Sequence, residues 1–342
     1  MKFVCYYNWD QLPESANVLF VQGEKENLFY SSQWFKKVTA TLENDQAMML
    51  ACVVADDQVL AILPLIQLSK ENFLSLKHRY ATHFSLLLAE EDQSQVLACL
   101  VKGLEKLPAR SLLLEPVADD DNKMIVLQDF MQQAGYQCQL HFRTYNWIYR
   151  LQNQSFVNYL AGRPSRLRNT ISRKSRKLDR EHGYEMRLFI GDDVPHAMCD
   201  YYAVFTSSWK ANEQFVEFLN SVVEGFSRAA WSRLGVLYVK NKPVAAQLWF
   251  VVHGKASIFR LAYDEAWKSY SPGSILTSFM MEYVIDTDKI SEIDFLTGNE
   301  AYKQDWMSER RERFALSCVK TKKPDSWYES IVKSLMGKLK RR

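Results

Sequence analysis

Residues 256–285 read ASIFRLAYDEAWKSYSPGSILTSFMMEYVI, which predicts a strand that leads through a Pro-Gly turn directly into an amphipathic helix beginning near Ser274. Beyond this helix, EIDFLTG at residues 292–298 predicts a second strand. A strand, a helix and another strand in succession are typical of α/β proteins. We therefore expect a fold of the α/β class with mixed sheets.

The start of the helix has the composition of a phosphate-binding turn. Backbone N–H groups at a helix N-terminus lack partners within the helix and the macrodipole is positive there, so a pyrophosphate can be held. Gly273 lets a ligand approach the backbone closely, and Lys268 adds positive charge. Ser271 and Ser274, which flank Pro272 and Gly273, can cap the helix or donate hydrogen bonds. The alternative is a plain turn that caps a helix.

Chemically versatile side chains follow the second strand. IDFLTGNEAYK (residues 293–303) contains Asp294, Glu300, Tyr302 and Lys303 at or just beyond the strand end, where α/β sheets often place their ligands. Acyl transfer to an amine needs a base, stabilisation of an oxyanion and an acid for the leaving group. Glu300 or Asp294 would be the base, Lys303 would stabilise the oxyanion, and Tyr302 or Tyr263 would be the acid. The alternative is a loop with a surface ion pair.

Helical, strand and hairpin patterns alternate through the first part of the chain. Apolar residues at helical spacing predict a helix at residues 29–42, and two apolar runs around Asp56-Asp57 predict a hairpin at 47–68. A helix at 94–107, a strand at 111–117 and a helix ending at Gly135 follow.

The same order recurs later in the chain. A predicted helix containing Ser207, Ser208 and Trp209 corresponds to the one containing Ser31, Ser32 and Trp34, and a hairpin at 234–252 corresponds to that at 47–68. We expect two tandem half-domains, residues 1–155 and 156–342, with the seam near residue 155. Chance agreement between common α/β patterns is the alternative.

A strongly basic segment lies next to this seam. Residues 165–180 predict a helix whose apolar stripe is only Leu167, Ile171 and Leu178, with cations on its other faces. Such a helix can hold the phosphates of a nucleotide-linked substrate, of CoA or of tRNA. We assign Arg173 and Arg176, together with Tyr263 and Trp209, to substrate binding. The alternative is a solvated helix whose arginines pair with acidic neighbours.

The bulk properties exclude several classes of protein. The chain has 342 residues, 47% hydrophobic and 24% charged, which suits a compact protein with two cores. The sequence contains neither a membrane-spanning apolar run nor a signal peptide, so we expect a cytoplasmic protein with six reduced cysteines. Its histidines have no metal-ligand spacing, and we expect no metal. A basic C-terminal helix capped at Ser326 either contacts an anionic membrane surface or packs on its own domain.

The succession KPVAAQLWF (242–250), FRLAYD (259–264), YSPGSIL (270–276) and IDFLTGNEAYK resembles the GNAT superfamily of acetyltransferases, in particular its CelD-like members associated with cellulose and other polysaccharide synthesis. It is similar, more distantly, to the Fem-type peptidyltransferases, which have two GNAT-like domains. The resemblance implies an acyl-CoA donor and an amine or hydroxyl acceptor. It places Ser271, Pro272 and Gly273 on the donor-loop motif. It also places Asp294, Gly298, Tyr302 and Lys303 on the strand-and-lysine motif.

One departure from the GNAT pattern keeps alternatives open. The segment from Lys268 to Ser274 has a single glycine, whereas GNAT enzymes carry a glycine-rich pyrophosphate loop. A Fem-like transferase that uses aminoacyl-tRNA is one alternative, and a non-catalytic GNAT-like interaction module is another. The sequence leaves the acceptor open among sugars, peptides, lipids and small molecules.

Overall fold

The computed structural model describes residues 1–210 and 213–320, whose strands form one mixed sheet. The strands of this part are β1 (Lys2–Tyr6), β2 (Ala47–Ala55), β3 (Gln58–Gln67), β4 (Asn72–Ser75), β5 (Leu87–Leu88), β6 (Ser111–Val117), β7 (Gln137–Arg150), β8 (Glu185–Ile190), β9 (Ser232–Val239), β10 (Lys242–Val252), β11 (Lys255–Tyr263), β12 (Glu292–Thr297) and β13 (Glu309–Val319). The α-helices are α1 (Ala16–Glu26), α2 (Ser32–Thr39), α3 (Gln93–Lys106), α4 (Asn122–Gln133), α5 (Phe156–Ala161), α6 (Ser165–His182), α7 (Asp193–Thr206), α8 (Val216–Arg228), α9 (Pro272–Asp286) and α10 (Lys303–Trp306). The α/β class with a mixed sheet is confirmed.

The order of the strands interleaves the two ends of the chain. The sheet runs β1-β2-β3-β4-β6-β13-β7-β12-β11-β10-β9-β8, with β5 beside β3. Neighbouring strands are antiparallel except in the pairs β4 with β6 and β11 with β12, which are parallel. The last strand, β13, is inserted between β6 and β7, so it pairs with strands that precede it by more than a hundred residues.

The elements from β1 to β7 recur in the same order from β8 to β13. In both series a strand and two helices lead into a three-stranded antiparallel meander, a helix and a parallel strand. One detail of the expected correspondence is wrong. Helix α7 ends at Thr206, so Ser207, Ser208 and Trp209 follow a helix, and the element that occupies the place of α2 is α8. The seam near residue 155 remains a prediction.

Local signals place the turns that build the two hairpins. Asp56 and Asp57 have φ angles of 46° and 62°, and Lys240 and Asn241 have 50° and 62°. Left-handed pairs of this kind form two-residue turns whose twist matches that of the flanking strands. The hairpins predicted around Asp56-Asp57 and within residues 234–252 are both present.

One hydrophobic cluster joins the two series of elements on a single face of the sheet. Trp34 of α2 lies at its centre, fully buried, with its ring 5.5 Å from that of Phe218 on α8 and 6.3 Å from that of Phe259 on β11. On the other face, separate clusters lie under α3 and α4 and under α5, α6 and α9. The shared cluster therefore fixes how the two series pack together.

Two sequence predictions concern other parts of the chain. The C-terminal helix capped at Ser326 lies outside the described residues, and no helix among those described is long and apolar enough to cross a membrane. All six cysteines are free thiols. Cys138 and Cys318 face each other on β7 and β13 with their Sγ atoms 2.7 Å apart, a proximity that the scattered sequence positions did not indicate.

We predict that Trp34→Ala lowers the free energy of unfolding by about 3–5 kcal/mol, because it leaves a cavity among aromatic rings from both series. Val18→Ala, at an exposed position of α1, is the control and changes it by about 0.5 kcal/mol or less. Urea unfolding followed by fluorescence and circular dichroism measures both. A second, separate transition in the wild-type protein would contradict the shared core.

Candidate active site

Strands β11 and β12 run side by side and then part. Their pairing ends at Ser257 and Asp294, and both strands are irregular just beyond this point. Phe259 is an extra residue in the pairing of β11 with β10, while the register of β12 against β7 shifts near Leu296, whose φ is 55°. Bulges of this kind bend a strand and re-aim its side chains. We call the space between the strands beyond Ser257 and Asp294 the β11–β12 gap.

Helix α9 begins at the end of this gap, at Pro272, slightly earlier than expected. Ser271 before it has a left-handed φ of 54° and makes no side-chain cap. Pro272 has no N–H, and the N–H of Ser274 donates to the carbonyl of Ser271 at 3.1 Å. Of Pro272, Gly273 and Ser274, only Gly273 has a backbone N–H without a partner among the described residues. The first turn therefore offers fewer amides to a phosphate than an open helix terminus does.

A buried polar ladder fixes the first turn of α9 on the sheet. Gln247 of β10 donates from Nε2 to the Gly273 carbonyl at 3.0 Å and to Thr277 Oγ1 at 2.8 Å. Its Oε1 accepts from Trp249 Nε1 at 3.0 Å. Because every polar atom of the Gln247 amide head is engaged in a buried position, the turn has little freedom to shift.

Three of the predicted residues lie around the same turn. The Tyr263 ring would be 3.3 Å from a Cβ atom at Gly273, so glycine is the residue that leaves room for it. Trp209, half-exposed, packs on Tyr263 with ring centroids 4.6 Å apart. Lys268 is mostly exposed and pairs with Glu265, Nζ to Oε2 at 3.5 Å. Burial raises the pKa of Tyr263, which keeps its hydroxyl protonated at neutral pH.

Lys303 is buried at the end of β12, and its donors are occupied. Its Nζ donates to the carbonyls of Phe295 at 3.1 Å and Thr297 at 2.5 Å, and it lies 3.1 Å from Glu300 Oε2. An ammonium has three N–H groups, so none remains for an oxyanion. The geometry argues against the electrostatic role predicted for Lys303 and favours a positioning role. Burial lowers its pKa, and the neighbouring Glu300 carboxylate opposes that shift.

Glu300 and Tyr302 remain accessible beside Lys303. The Glu300 side chain is 57% exposed, so it can exchange protons with solvent or with a ligand. Tyr302 packs its ring against Phe295 at 5.7 Å and leaves part of its surface exposed. Burial of its hydroxyl raises its pKa, so this tyrosine too is protonated at neutral pH. Both residues keep the freedom that acid–base chemistry requires.

Asp294 is buried within the sheet, where its carboxylate accepts hydrogen bonds from a neighbouring side chain and from the backbone of β12. Its Oδ1 accepts from Asn146 Nδ2 at 2.5 Å and from the N–H of Leu296 at 2.6 Å. Asn146 Oδ1 in turn accepts from Arg313 Nη2 at 2.9 Å. Burial raises the pKa of Asp294, while these hydrogen bonds oppose the shift. With its carboxylate enclosed, Asp294 is poorly placed for the predicted role of base, and it instead shapes the bend of β12.

A set of residues that the sequence did not single out converges near the gap; we call it the polar cluster, and its members are Tyr80, Tyr201, Lys210, Glu213 and Arg260. Arg260 stacks on the Tyr80 ring at 3.6 Å and pairs with Glu213, Nε to Oε2 at 3.4 Å. The Tyr80 hydroxyl donates to the same carboxylate. Lys210 donates from Nζ to the carbonyl of Leu261 at 2.5 Å, in the part of β11 beyond its pairing with β12.

Charges in the polar cluster and at the end of β12 both affect the pKa of Lys210. Burial, and after it the charge of Arg260, lower the pKa of Lys210 to about 8. Glu213 and Glu300 oppose the shift. The ammonium of Lys210 therefore lies within electrostatic reach of charges on both sides of the gap.

A segment of the first series of elements contributes a residue to this site and also closes the equivalent gap in its own series. Strands β4 and β6 are the earlier equivalents of β11 and β12, but beyond their pairing Ser75 Oγ donates to the Glu115 carbonyl at 2.8 Å and accepts from its N–H at 3.2 Å. The Phe84 N–H then donates to the Pro116 carbonyl at 2.7 Å. Residues 76–86 carry Tyr80 into the polar cluster. The earlier gap is thus filled by backbone and side-chain hydrogen bonds.

The basic helix α6 lies beside the 3₁₀ segment that precedes α9. Lys174 donates from Nζ to the Ser269 carbonyl at 2.5 Å, which ties the two elements together. Arg173 is exposed and has no ion pair among the described residues, and Arg176 hydrogen-bonds within the helix to Ser172. The two arginines predicted to bind substrate therefore lie on the cationic surface of α6, beside the segment that precedes α9.

The residues missed from sequence had no local signal. Tyr80, Glu213 and Arg260 are distant in sequence and meet only because residues 76–86 cross to α8 and β11. Arg260 was visible within the strand FRLAYD, where a cation in a core strand is a signal. Within residues 1–210 and 213–320, no group of His, Cys, Asp and Glu side chains is arranged to hold a metal ion.

We predict that Asp294→Ala lowers the free energy of unfolding by about 2–4 kcal/mol, because it leaves one N–H of the Asn146 amide and the Leu296 N–H unpaired in a buried position. Asp294→Asn is the matched control, since its amide oxygen can still accept both hydrogen bonds, and it retains more of the stability. Urea denaturation measures the difference. Equal stability of the two variants would argue against the positioning role.

Comparisons with known proteins concern the family match and the fold. Residues 165–304 match the family model described as an acetyltransferase (GNAT) domain, and no curated protein matches the chain. Among solved structures, FemX has 9% identity and a TM-score of 0.65 over 92% of this chain and 97% of its own. L-PGS from Bacillus licheniformis has 11% identity and a TM-score of 0.56 over 94% and 97%.

A third solved structure extends the same picture. The tandem GNAT protein from the clavulanic acid biosynthesis pathway has 11% identity and a TM-score of 0.52 over 95% of this chain and 99% of its own. Likenesses at this level of identity concern the fold. Residues 165–304 therefore match a GNAT acetyltransferase domain, and the fold is similar to those of FemX and this tandem GNAT protein.

Proposed function

We propose that this protein transfers an acyl group from acyl-CoA to an amine or hydroxyl acceptor, with the donor thioester in the β11–β12 gap. The observation that carries the proposal is the parting of β11 and β12 at two adjacent irregularities, with the start of α9 at its end. The equivalent gap between β4 and β6 is closed by Ser75 and Phe84, which favours a single donor site. The matched acetyltransferase domain includes both β11 and β12.

The donor's phosphates would lie at the first turn of α9. The free N–H of Gly273 and the positive end of the helix macrodipole favour an anion there, and exposed Lys268 adds a mobile cation. The ladder through Gln247 holds this turn in place before the ligand arrives. Preorganised donors of this kind need no rearrangement on binding.

Transfer would proceed by direct attack, without a covalent enzyme intermediate. The acceptor nitrogen loses a proton to Glu300, directly or through water, and attacks the thioester carbonyl carbon. The carbon–sulfur bond then breaks, and Tyr302 or Tyr263 protonates the departing thiolate. Lys303 keeps Glu300 and the end of β12 in position. CelD-like polysaccharide or envelope chemistry remains our proposal for the setting.

Two observations favour a second candidate, a Fem-like transferase that uses aminoacyl-tRNA. Pro272 removes one amide from the turn that would hold the CoA pyrophosphate, and Lys210 already occupies the Leu261 carbonyl inside the gap. The basic helix α6, on which Arg173 has no ion pair among the described residues and which Lys174 ties to the segment before α9, suits a polyanionic donor. The third candidate, a non-catalytic GNAT-like module, predicts that neither donor binds.

We predict micromolar binding of acetyl-CoA and CoA by isothermal titration, lost in Gly273→Trp because the indole fills the space over Tyr263. Gly162→Trp is the matched control, because a side chain at this exposed cap meets only ordinary contacts. Lys268→Glu, on the surface, should weaken binding about 10-fold through loss of a charge-assisted contact.

The other outcomes separate the candidates. Absence of CoA binding, with steeply salt-dependent tRNA binding that falls when Arg173, Lys174, Arg176 and Lys177 are neutralised, would replace acyl-CoA by an aminoacyl-tRNA donor. Absence of both would leave the non-catalytic module. Thermal unfolding of each variant shows whether a loss of binding reflects a loss of fold.

A further inference from the structure

Two buried polar atoms in the polar cluster have no hydrogen-bond partner among the described residues. One is the hydroxyl of Tyr201, a fully buried residue of α7, and the other is Nε of Arg260, which lies 3.4 Å from Glu213 Oε2 without making a hydrogen bond to it. The charges of Arg260 and Glu213 both affect the pKa of Tyr201, which burial raises, so the two unpaired atoms belong to one neighbourhood. Leaving such groups unpaired in a buried position is costly unless a ligand or water completes them.

The charges of this neighbourhood are unbalanced. Arg260 pairs with Glu213, and Lys303 pairs with Glu300. Lys210 has no ion pair among the described residues, and its ammonium donates to a single neutral carbonyl, that of Leu261. An ammonium has three donors, so two remain for another acceptor. The site therefore has one positive charge and several donors in excess.

We propose that Lys210, Arg260 and Tyr201 form a subsite for a carboxylate on the acceptor, which is accordingly an amino acid or another amine that carries a carboxylate. This inference rests on the proposed function, because it assumes that the subsite binds the acceptor of that reaction. A carboxylate carries one negative charge and matches the excess, whereas a phosphate monoester carries about 1.5 to 2. The carboxylate accepts from the Lys210 ammonium and the Tyr201 hydroxyl, and it lies beside the guanidinium of Arg260.

The arrangement also orients the amine of such an acceptor. Lys210 lies within electrostatic reach of both Glu213 and Glu300. An acceptor anchored by its carboxylate on Lys210 has its amine toward these carboxylates. Glu300, the accessible one, is the base of the proposed reaction. The subsite thus selects and orients the nucleophile by the same contact.

The first test uses the wild-type protein and needs no acyl transfer. Trace labelling with acetic anhydride, followed by peptide mass spectrometry, reports the reactivity and pKa of each lysine. We predict that acetate, against sodium chloride of equal ionic strength, slows labelling of Lys210 and raises its pKa above about 8. Exposed Lys102 is the internal control and should not respond. In Arg260→Met, acetate should protect Lys210 with about 10- to 100-fold lower affinity.

The pH dependence has a definite sign. Lys210 is charged below its pKa of about 8, so acetate protection is present below this pH and is lost as the pH rises above it. The charges that face Lys210 are those of Arg260 and Lys303, which lower its pKa, and those of Glu213 and Glu300, which raise it. Labelling of Lys210 that acetate leaves unchanged would overturn the proposal, as would protection by inorganic phosphate but not by acetate.

A transfer assay separates this inference from the proposed function. With acetyl-CoA, alanine should be a better acceptor than ethylamine, and Lys210→Met should raise the KM for alanine about 10- to 100-fold more than the KM for ethylamine. Lys102→Met is the matched control. Equal preference for the two amines would contradict the carboxylate subsite. Acetate protection without transfer to any amine would contradict the proposed function and leave the anion subsite intact.

Discussion

The insertion of β13 between β6 and β7 is the constraint on which the rest of the structure depends. It joins the last described strand to the middle of the sheet and brings Arg313 to Asn146 on β7. Asn146 then holds Asp294 and the Leu296 carbonyl on β12. Since these contacts set the bend of β12, the opening of the gap follows from the strand order. The bend of β12 therefore depends on its contacts with β7 and β13, and not on the sequence of β12 alone.

The two series of elements show how one architecture can keep or lose a site. Both contain a pair of parallel strands that part, β4 with β6 and β11 with β12. In the first pair, side-chain and backbone hydrogen bonds from Ser75 and Phe84 fill the space between the strands. The segment that closes this gap then supplies Tyr80 to the other one. The first series therefore packs against the second and contributes Tyr80 to the polar cluster.

Local periodicity predicted most of the fold. The hairpin at Asp56-Asp57, the strand at 292–298 and the basic helix at 165–180 were all recognisable, because turn residues and apolar spacing act over a few positions. The strand order could not be predicted in this way, since the place of β13 depends on contacts across the whole chain. Trp209 was placed in a helix because a serine pair before an aromatic resembles a cap. In the structure this serine pair follows the end of α7.

The site was predicted unevenly for the same reason. Residues close in sequence, such as Glu300 and Lys303, lie together in the structure, but burial decides how exposed each of them is. Asp294 and Lys303 are residue types that can react, which is all that the sequence shows. In the fold, hydrogen bonds enclose both side chains. Arg260, Glu213 and Tyr80 come from three separate segments, so only the packed structure reveals their cluster.

The central claim is that the donor occupies the later gap and not its earlier counterpart. Hydrogen exchange with mass spectrometry, performed with and without saturating acetyl-CoA, tests this claim most directly. The account predicts slower exchange confined to the segments around residues 256–263, 271–276 and 293–300. Slower exchange at residues 72–75 and 111–117, with no change in the other three segments, would contradict it.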